Sequence, residues 1–147
     1  ELPTFKLPSI YDANAMITSE DFQEGVVYFD FWATWCGPCI AEIPNVLEAY
    51  KKYSPQGFEV VGVSLDQDRD ALEKFVNDRN IPWPILFETS EGSDWQHPLA
   101  TYYGISGIPT VILIGKDGNV VSLNARGERL GKLLDELFKN SSSTRGN

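Results

Sequence analysis

Two cysteines are all that this 147-residue chain contains, and they stand close together in Trp35-Cys36-Gly37-Pro38-Cys39. Thiols at that spacing can hold a metal, clip the chain, or cycle between dithiol and disulfide. Zinc normally takes four protein ligands, or three plus water. With one histidine, His97, in the sequence, only recruited carboxylates would complete such a site, and no metal is expected. A clip across two residues closes too small a loop to restrict the unfolded chain much. A small disulfide-stapled scaffold would carry more cysteines in a shorter chain. Redox cycling is the chemistry that remains.

The position of the pair supports it. Cys36 follows the β-favouring run Val26 to Trp32 and precedes Ile40, Ile43, Leu47 and Tyr50, which have helical spacing. A thiol at the junction of strand and helix meets unpaired N–H groups and the positive end of the helix dipole, and both favour thiolate. Lowering a cysteine pKa from ~8.5 to ~7 takes about 2 kcal/mol. A helix terminus supplies ~0.3–2 kcal/mol of that. Cys36 is then the attacking sulfur, and Cys39, one turn further in, resolves the mixed disulfide. Gly37 lets another chain approach closely, and Pro38 suits a first helical turn, where its missing N–H would be unpaired anyway.

Asp30 interrupts the apolar run six residues before Cys36. Burial there raises a carboxyl pKa, and an acid titrating near neutrality can accept the Cys39 proton. Gly107-Ile108-Pro109-Thr110 opens a later strand with a proline. The missing ladder donor leaves main-chain groups of Ile108 free to hold an extended peptide. Pro44 predicts a kink in the helix after the cysteines. His97 reads as a loop residue, and Trp83, Trp95, Tyr102 and Tyr103 read as core and rim.

Strands and helices alternate around these residues. Phe58 to Leu65 is a second buried-type strand; Ala71, Leu72, Phe75 and Val76 mark an amphipathic helix, with Asp66, Asp68 and Asp70 as candidate caps. A short strand at Pro84 to Phe87 precedes a weaker helix at Leu99 to Tyr103. Thr110 to Ile114 and Val120 to Leu123 flank Asp117-Gly118, a hairpin signal. Leu130, Leu133, Leu134, Leu137 and Phe138 define the last helix. The pattern predicts one α/β domain over residues 1–140, a mixed sheet with helices on both faces. The Ser-rich residues 141–147 read as a disordered tail. The start, Glu1 to Ile10, reads as extended chain without a signal peptide. Opening on Glu rather than Met predicts a mature or trimmed chain.

Composition removes other classes. At 42% apolar and 22% charged residues, wholesale disorder is excluded. The longest apolar stretches fall far short of the ~20 residues that span a bilayer. Twelve basic against 21 acidic side chains leave a net charge of -9, which opposes a nucleic-acid partner and is read as solubility.

The run from Tyr28 to Cys39, the run from Tyr103 to Thr110, and Lys116-Asp117-Gly118 together resemble the thioredoxin superfamily, with a likeness that spans about Thr4 to Phe138. Within it the chain is similar to the extended TlpA/ResA-type group. The interval from Asp66 to Pro109 is longer than in a minimal thioredoxin and holds the extra helix and strand. The resemblance implies Cys36 as nucleophile, Cys39 as resolving thiol, Asp30 as proton acceptor and Pro109 as a cis proline facing the disulfide. Trp35, Gly37, Pro38 and Ile108 would line the substrate groove. Two departures stand out. Gly62 takes the place of a lysine common in minimal thioredoxins, and Asp66-Gln67-Asp68 stand where some extended members carry a glutamate.

The expectation is a monomeric thiol–disulfide oxidoreductase that reduces disulfides in protein partners. It needs no cofactor beyond its own Cys36–Cys39 disulfide and is recharged by an upstream electron donor; the resemblance to the extended group implies residence outside the cytoplasm, in a bacterial periplasm or tethered to the membrane, with the cytoplasm as the alternative. A thiol peroxidase and a non-enzymatic thioredoxin-fold adaptor are the alternatives. The peroxidase would need a Pro-x-x-x-Thr/Ser-x-x-Cys context, and here Thr34 lies two residues before Cys36.

Overall fold

The computed structural model describes residues 6–8, 16–18, 25–87 and 98–145. Trp95 and His97 lie outside them. The chain start contributes a small antiparallel pair, β1 (Lys6–Pro8) with β2 (Met16–Thr18).

The main sheet has five strands: β3 (Val26–Trp32), β4 (Phe58–Ser64), β5 (Ile85–Leu86), β6 (Thr110–Ile114) and β7 (Val120–Ser122), in the order β5-β4-β3-β6-β7. β3 pairs with β4 in parallel, as β4 does with β5, whereas the β3–β6 and β6–β7 pairs are antiparallel. The central place of β3 explains its continuous apolar run: every residue of it is buried, and a strand covered on both faces has no polar side to show.

Among the described residues, four helices cover the sheet: α1 (Gly37–Tyr53), α2 (Arg69–Asp78), α3 (Pro98–Tyr102) and α4 (Glu128–Arg145). Alternation along β3 sends Val26, Tyr28 and Trp32 to one face, packed with Ile43 and Val46 of α1, Leu72 of α2 and Leu130 and Leu134 of α4. Val27, Phe29 and Phe31 point to the other face, with Leu99 and Ala100 of α3. The α/β class, the mixed sheet and helices on both faces all follow expectation. No helix among the described residues is long and apolar enough to cross a membrane.

Several boundaries differ from the pattern. α1, by contrast, agrees with it: the helix runs through Pro44 to Tyr53, and a 3₁₀ turn then leads to Gly57 at φ 107°. β7 stops before Leu123, where the Ser122 hydroxyl turns to Asn124. Of the three candidate caps, Asp68 caps α2, accepting from the Ala71 N–H at 3.1 Å, and Asp70 sits in the first turn. Asp66 caps nothing and is buried, because its carboxylate is drawn inward by Thr34 and Ser64. α4 runs on to Arg145, past residue 140, where composition predicts a tail. Extending a formed helix adds one backbone bond for each residue fixed, so polar sequence alone does not stop it.

Candidate active site

Cys36 and Cys39 form a disulfide with their Cα atoms 5.3 Å apart. Cys36 is the N-cap of α1, in extended backbone at φ -96°, with Pro38 in the first turn. Its sulfur accepts the Cys39 N–H at 3.3 Å. In the reduced protein the same N–H and the helix dipole favour thiolate on Cys36 over thiol. Exposure does not separate the two sulfurs, at 5% for Cys36 and 3% for Cys39. What separates them is chain position: Cys36 is outside the helix and Cys39 within it. Trp35 is 59% exposed, and Gly37 and Pro38 are exposed as well, so the rim of the pair is open to another chain.

Asp30 lies on β3 between Val111 of β6 and Gly62 of β4. Two-residue alternation puts it on the face of Tyr28 and Trp32, whose cluster contains both cysteines. It is 8% exposed. Burial first, and the Glu42 carboxylate second, push its pKa from 3.8 up to about 7, against a smaller opposing pull from Arg126. The neighbouring Tyr28 hydroxyl is also pushed up, mainly by burial, and donates to the Ala125 carbonyl at 2.8 Å.

Glu42 was not singled out by the sequence. Its Oε2 accepts from the Gly127 N–H and from the Asn45 amide, each at 2.8 Å, and Asn45 also donates to the Gly127 carbonyl at 3.0 Å. The turn before α4 is thereby tied to α1, which brings Glu42 and Arg126 into the electrostatic surroundings of Asp30. A usable signal was present: Glu42 is three residues after Cys39, and residues at i and i+3 share a helix face.

Gly62, where a lysine is common in minimal thioredoxins, has no room for a side chain. A Cβ there would lie 2.6 Å from Cδ1 of Ile85 and 3.1 Å from Nε1 of Trp32. The volume beside Asp30 is filled by Trp32, Trp83 and Ile85, so the charges that set its pKa come from α1 and the turn before α4.

The Ile108–Pro109 peptide is cis, as the resemblance implies. Ile108 packs against both core clusters, including the one that contains the cysteines. The Thr110 hydroxyl donates to the Gly107 carbonyl at 2.6 Å, and the loop before β6 lines an open groove. Of the aromatic residues read as core and rim, Trp83 is buried, Tyr103 half-buried and Tyr102 exposed. Among the described residues no three His, Cys, Asp or Glu side chains gather as a metal site requires.

Solved structures share this architecture. A thiol-disulfide oxidoreductase from Bacteroides fragilis superposes with a TM-score of 0.80 at 27% identity, covering 92% of this chain and 98% of that one. The thioredoxin domain of a thiol-disulfide oxidoreductase from Bacteroides vulgatus gives 0.81 at 24% identity, over 92% and 93%, a likeness of fold. The fold and the cysteine pair define a thioredoxin-like thiol–disulfide oxidoreductase. Residues 1–136 match the Redoxin family, and the chain belongs to it. Thiol-disulfide oxidoreductase ResA of Bacillus thuringiensis subsp. konkukian is 31% identical over 139 residues, 95% of this chain and 75% of that protein. Its counterpart in Bacillus subtilis is 30% identical over 107 residues, 73% and 56% respectively. The chain is of the ResA type.

Proposed function

We propose that the Cys36–Cys39 pair reduces disulfides in protein partners, with Cys36 as nucleophile, Cys39 as resolving thiol and Asp30 as proton acceptor. One observation carries the reading. A cysteine that caps a helix, with an N–H on its sulfur, shares a sheet face with a buried carboxyl titrating at about 7.

The Cys36 thiolate attacks one sulfur of the partner disulfide. A Cys36–partner S–S bond forms, the partner's own S–S bond breaks, and the first partner thiol leaves. Cys39 then gives its proton to Asp30 and attacks the Cys36 sulfur, closing the Cys36–Cys39 disulfide and releasing the second thiol. Two electrons pass to the partner, and its two sulfurs leave as thiolates that take their protons from Asp30 and from water. The disulfide seen here is the product form, so a separate electron donor must return the pair to the dithiol. Trp35, Gly37, Pro38, Ile108 and Pro109 form the docking rim: the first three are exposed beside the pair, and the proline immediately before β6 has no N–H to donate, leaving main-chain groups of Ile108 for an extended peptide. The ResA-type resemblance supports residence outside the cytoplasm, and the reading takes residues 1–140, as a monomer, for the working unit.

The Gly37-Pro38 spacer resembles that of reducing members of the superfamily, which corresponds to a potential of roughly -270 to -180 mV. Equilibration with glutathione tests it; a value near -120 mV, typical of a strong oxidant, overturns the direction. Peroxide consumption without disulfide reduction would favour the peroxidase alternative instead.

A further inference from the structure

Asp66 follows β4 directly and is 2% exposed. Burying a carboxylate is costly unless donors surround it, and three groups donate to this one. The Thr34 N–H reaches both oxygens at 3.1 Å, the Thr34 hydroxyl donates to Oδ1 at 2.6 Å, and the Ser64 hydroxyl donates to Oδ2 at 2.7 Å. Ser64 is itself fixed, because its oxygen accepts the Asp66 N–H at 3.0 Å. The ends of β3 and β4 are also joined, through the Leu65 N–H and the Trp32 carbonyl at 2.9 Å.

We infer that Asp66 is a positioning residue of the redox centre: its buried carboxylate clamps Thr34 and so fixes the turn that presents Cys36 to the N-terminus of α1. Thr34 and Trp35 are the two inner residues of that turn, which the Cys36 N–H closes on the Ala33 carbonyl at 3.1 Å. The Asp66 carboxylate is the side-chain anchor of this turn. Trp35 is largely exposed, so burial does not anchor it, and the segment belongs to neither strand nor helix. The backbone angles of Thr34 and Trp35 decide where the Cys36 sulfur lies relative to the Cys39 N–H. Reactivity at a helix terminus depends on that alignment, since a misplacement of about 1 Å can cost on the order of a hundredfold in rate. A neutral amide at position 66 could not serve equally, because its NH₂ would meet a donor on one side.

The inference rests on the dithiol reading above, and the test keeps the two apart. Thr34→Val removes only the hydroxyl and leaves the Asp66 charge in place, Thr34→Ser keeps the hydroxyl, and Asp66→Asn breaks the clamp from the other side. For each folded, reduced protein the measurements are the rate of Cys36 alkylation by iodoacetamide at fixed pH, the rate of insulin disulfide reduction, and the equilibrium with glutathione. Thr34→Val should slow alkylation and reduction at least about tenfold. Thr34→Ser should recover most of that loss. The double variant Thr34→Val/Asp66→Asn should be no slower than Asp66→Asn by more than about twofold, since residues acting as one unit are not additive. The glutathione equilibrium of Thr34→Val should move at least about threefold toward the disulfide, as thiolate stabilisation is lost. Rates and equilibrium within about twofold of the parent in Thr34→Val overturn the inference, as do losses that follow thermal stability alone. Should Asp66→Asn fail to fold, the two Thr34 variants decide the matter. Failure of the parent to reduce insulin overturns the dithiol reading, while the alkylation rates still report on the clamp.

Discussion

A carboxyl group in the middle of a central strand costs stability whenever it is ionised, and Asp30 carries that cost openly. Its pKa of about 7 in the fold exceeds the ordinary 3.8 because burial and Glu42 both disfavour the anion. Below pH 4 the folded and unfolded chains are both protonated at this group. As pH rises from there the unfolded state loses its proton first, so the native state binds more protons and stability falls until about pH 7. Asp30→Asn should therefore be more stable than the parent at pH 8, by on the order of 2–4 kcal/mol, and equal to it below pH 4. Urea unfolding of the oxidised protein at both pH values checks this; an advantage that persists at pH 3.5 contradicts it. The same substitution should slow the resolving step and leave the first attack nearly unchanged. Cys39→Ser should accumulate a mixed disulfide on Cys36, read by mass spectrometry of the trapped adduct; a partner attached elsewhere refutes the assignment of roles. Cys36, Cys39 and Asp30 were all legible from residue type and place in the pattern. Glu42 was not, because its influence on Asp30 depends on how α1 lies across the sheet.

At the scale of elements, the junction of β3 and α1 does most to define the site, and the strands beside it define its limits. Gly62 shows how tightly β4 is fitted there. In Gly62→Ala the new methyl would meet fully buried Ile85 at 2.6 Å, and overpacking of this kind costs about 1–3 kcal/mol. Thermal unfolding should show the loss, and a melting point unchanged from the parent would mean that β5 yields. Two aspartates two residues apart should behave oppositely. Asp68 is exposed and caps α2, so Asp68→Ala should cost about 1 kcal/mol of stability while insulin reduction keeps its parental rate. A lower rate at full folding would place α2 closer to the chemistry than its position suggests. The run of three aspartates offered no means of telling which one caps. A cap is chosen by where the helix starts, and Asp66 was claimed by Thr34, 32 residues away in sequence.

For the molecule as a whole, two cores back to back make the sheet a rigid plate, and the site sits at one end of it. The net charge of -9 acts on this plate as self-repulsion, which favours expansion. Salt screens it over about 8–10 Å at physiological strength. The melting temperature should rise by a few degrees between 10 mM and 200 mM sodium chloride. A fall on adding salt would show that favourable ion pairs outweigh repulsion. Ion pairs among the described residues, such as Lys74 with Asp78 at 2.8 Å, lie at the surface, where each contributes little.

The pair of cysteines, the strand that precedes them, the helix that follows and the lone acid in an apolar run were determined by sequence alone. Each is a local pattern, and periodicity or spacing within a few residues suffices to state it. The tertiary structure decided what lies across space from those residues. It set Glu42 and Arg126 around Asp30 and filled the volume beside Gly62 with two indoles and Ile85. It also turned Asp66 inward to Thr34. These outcomes depend on side chains brought together by sheet order and helix packing: spacing along the chain puts Glu42 on the helix face of Cys39, but not beside Asp30.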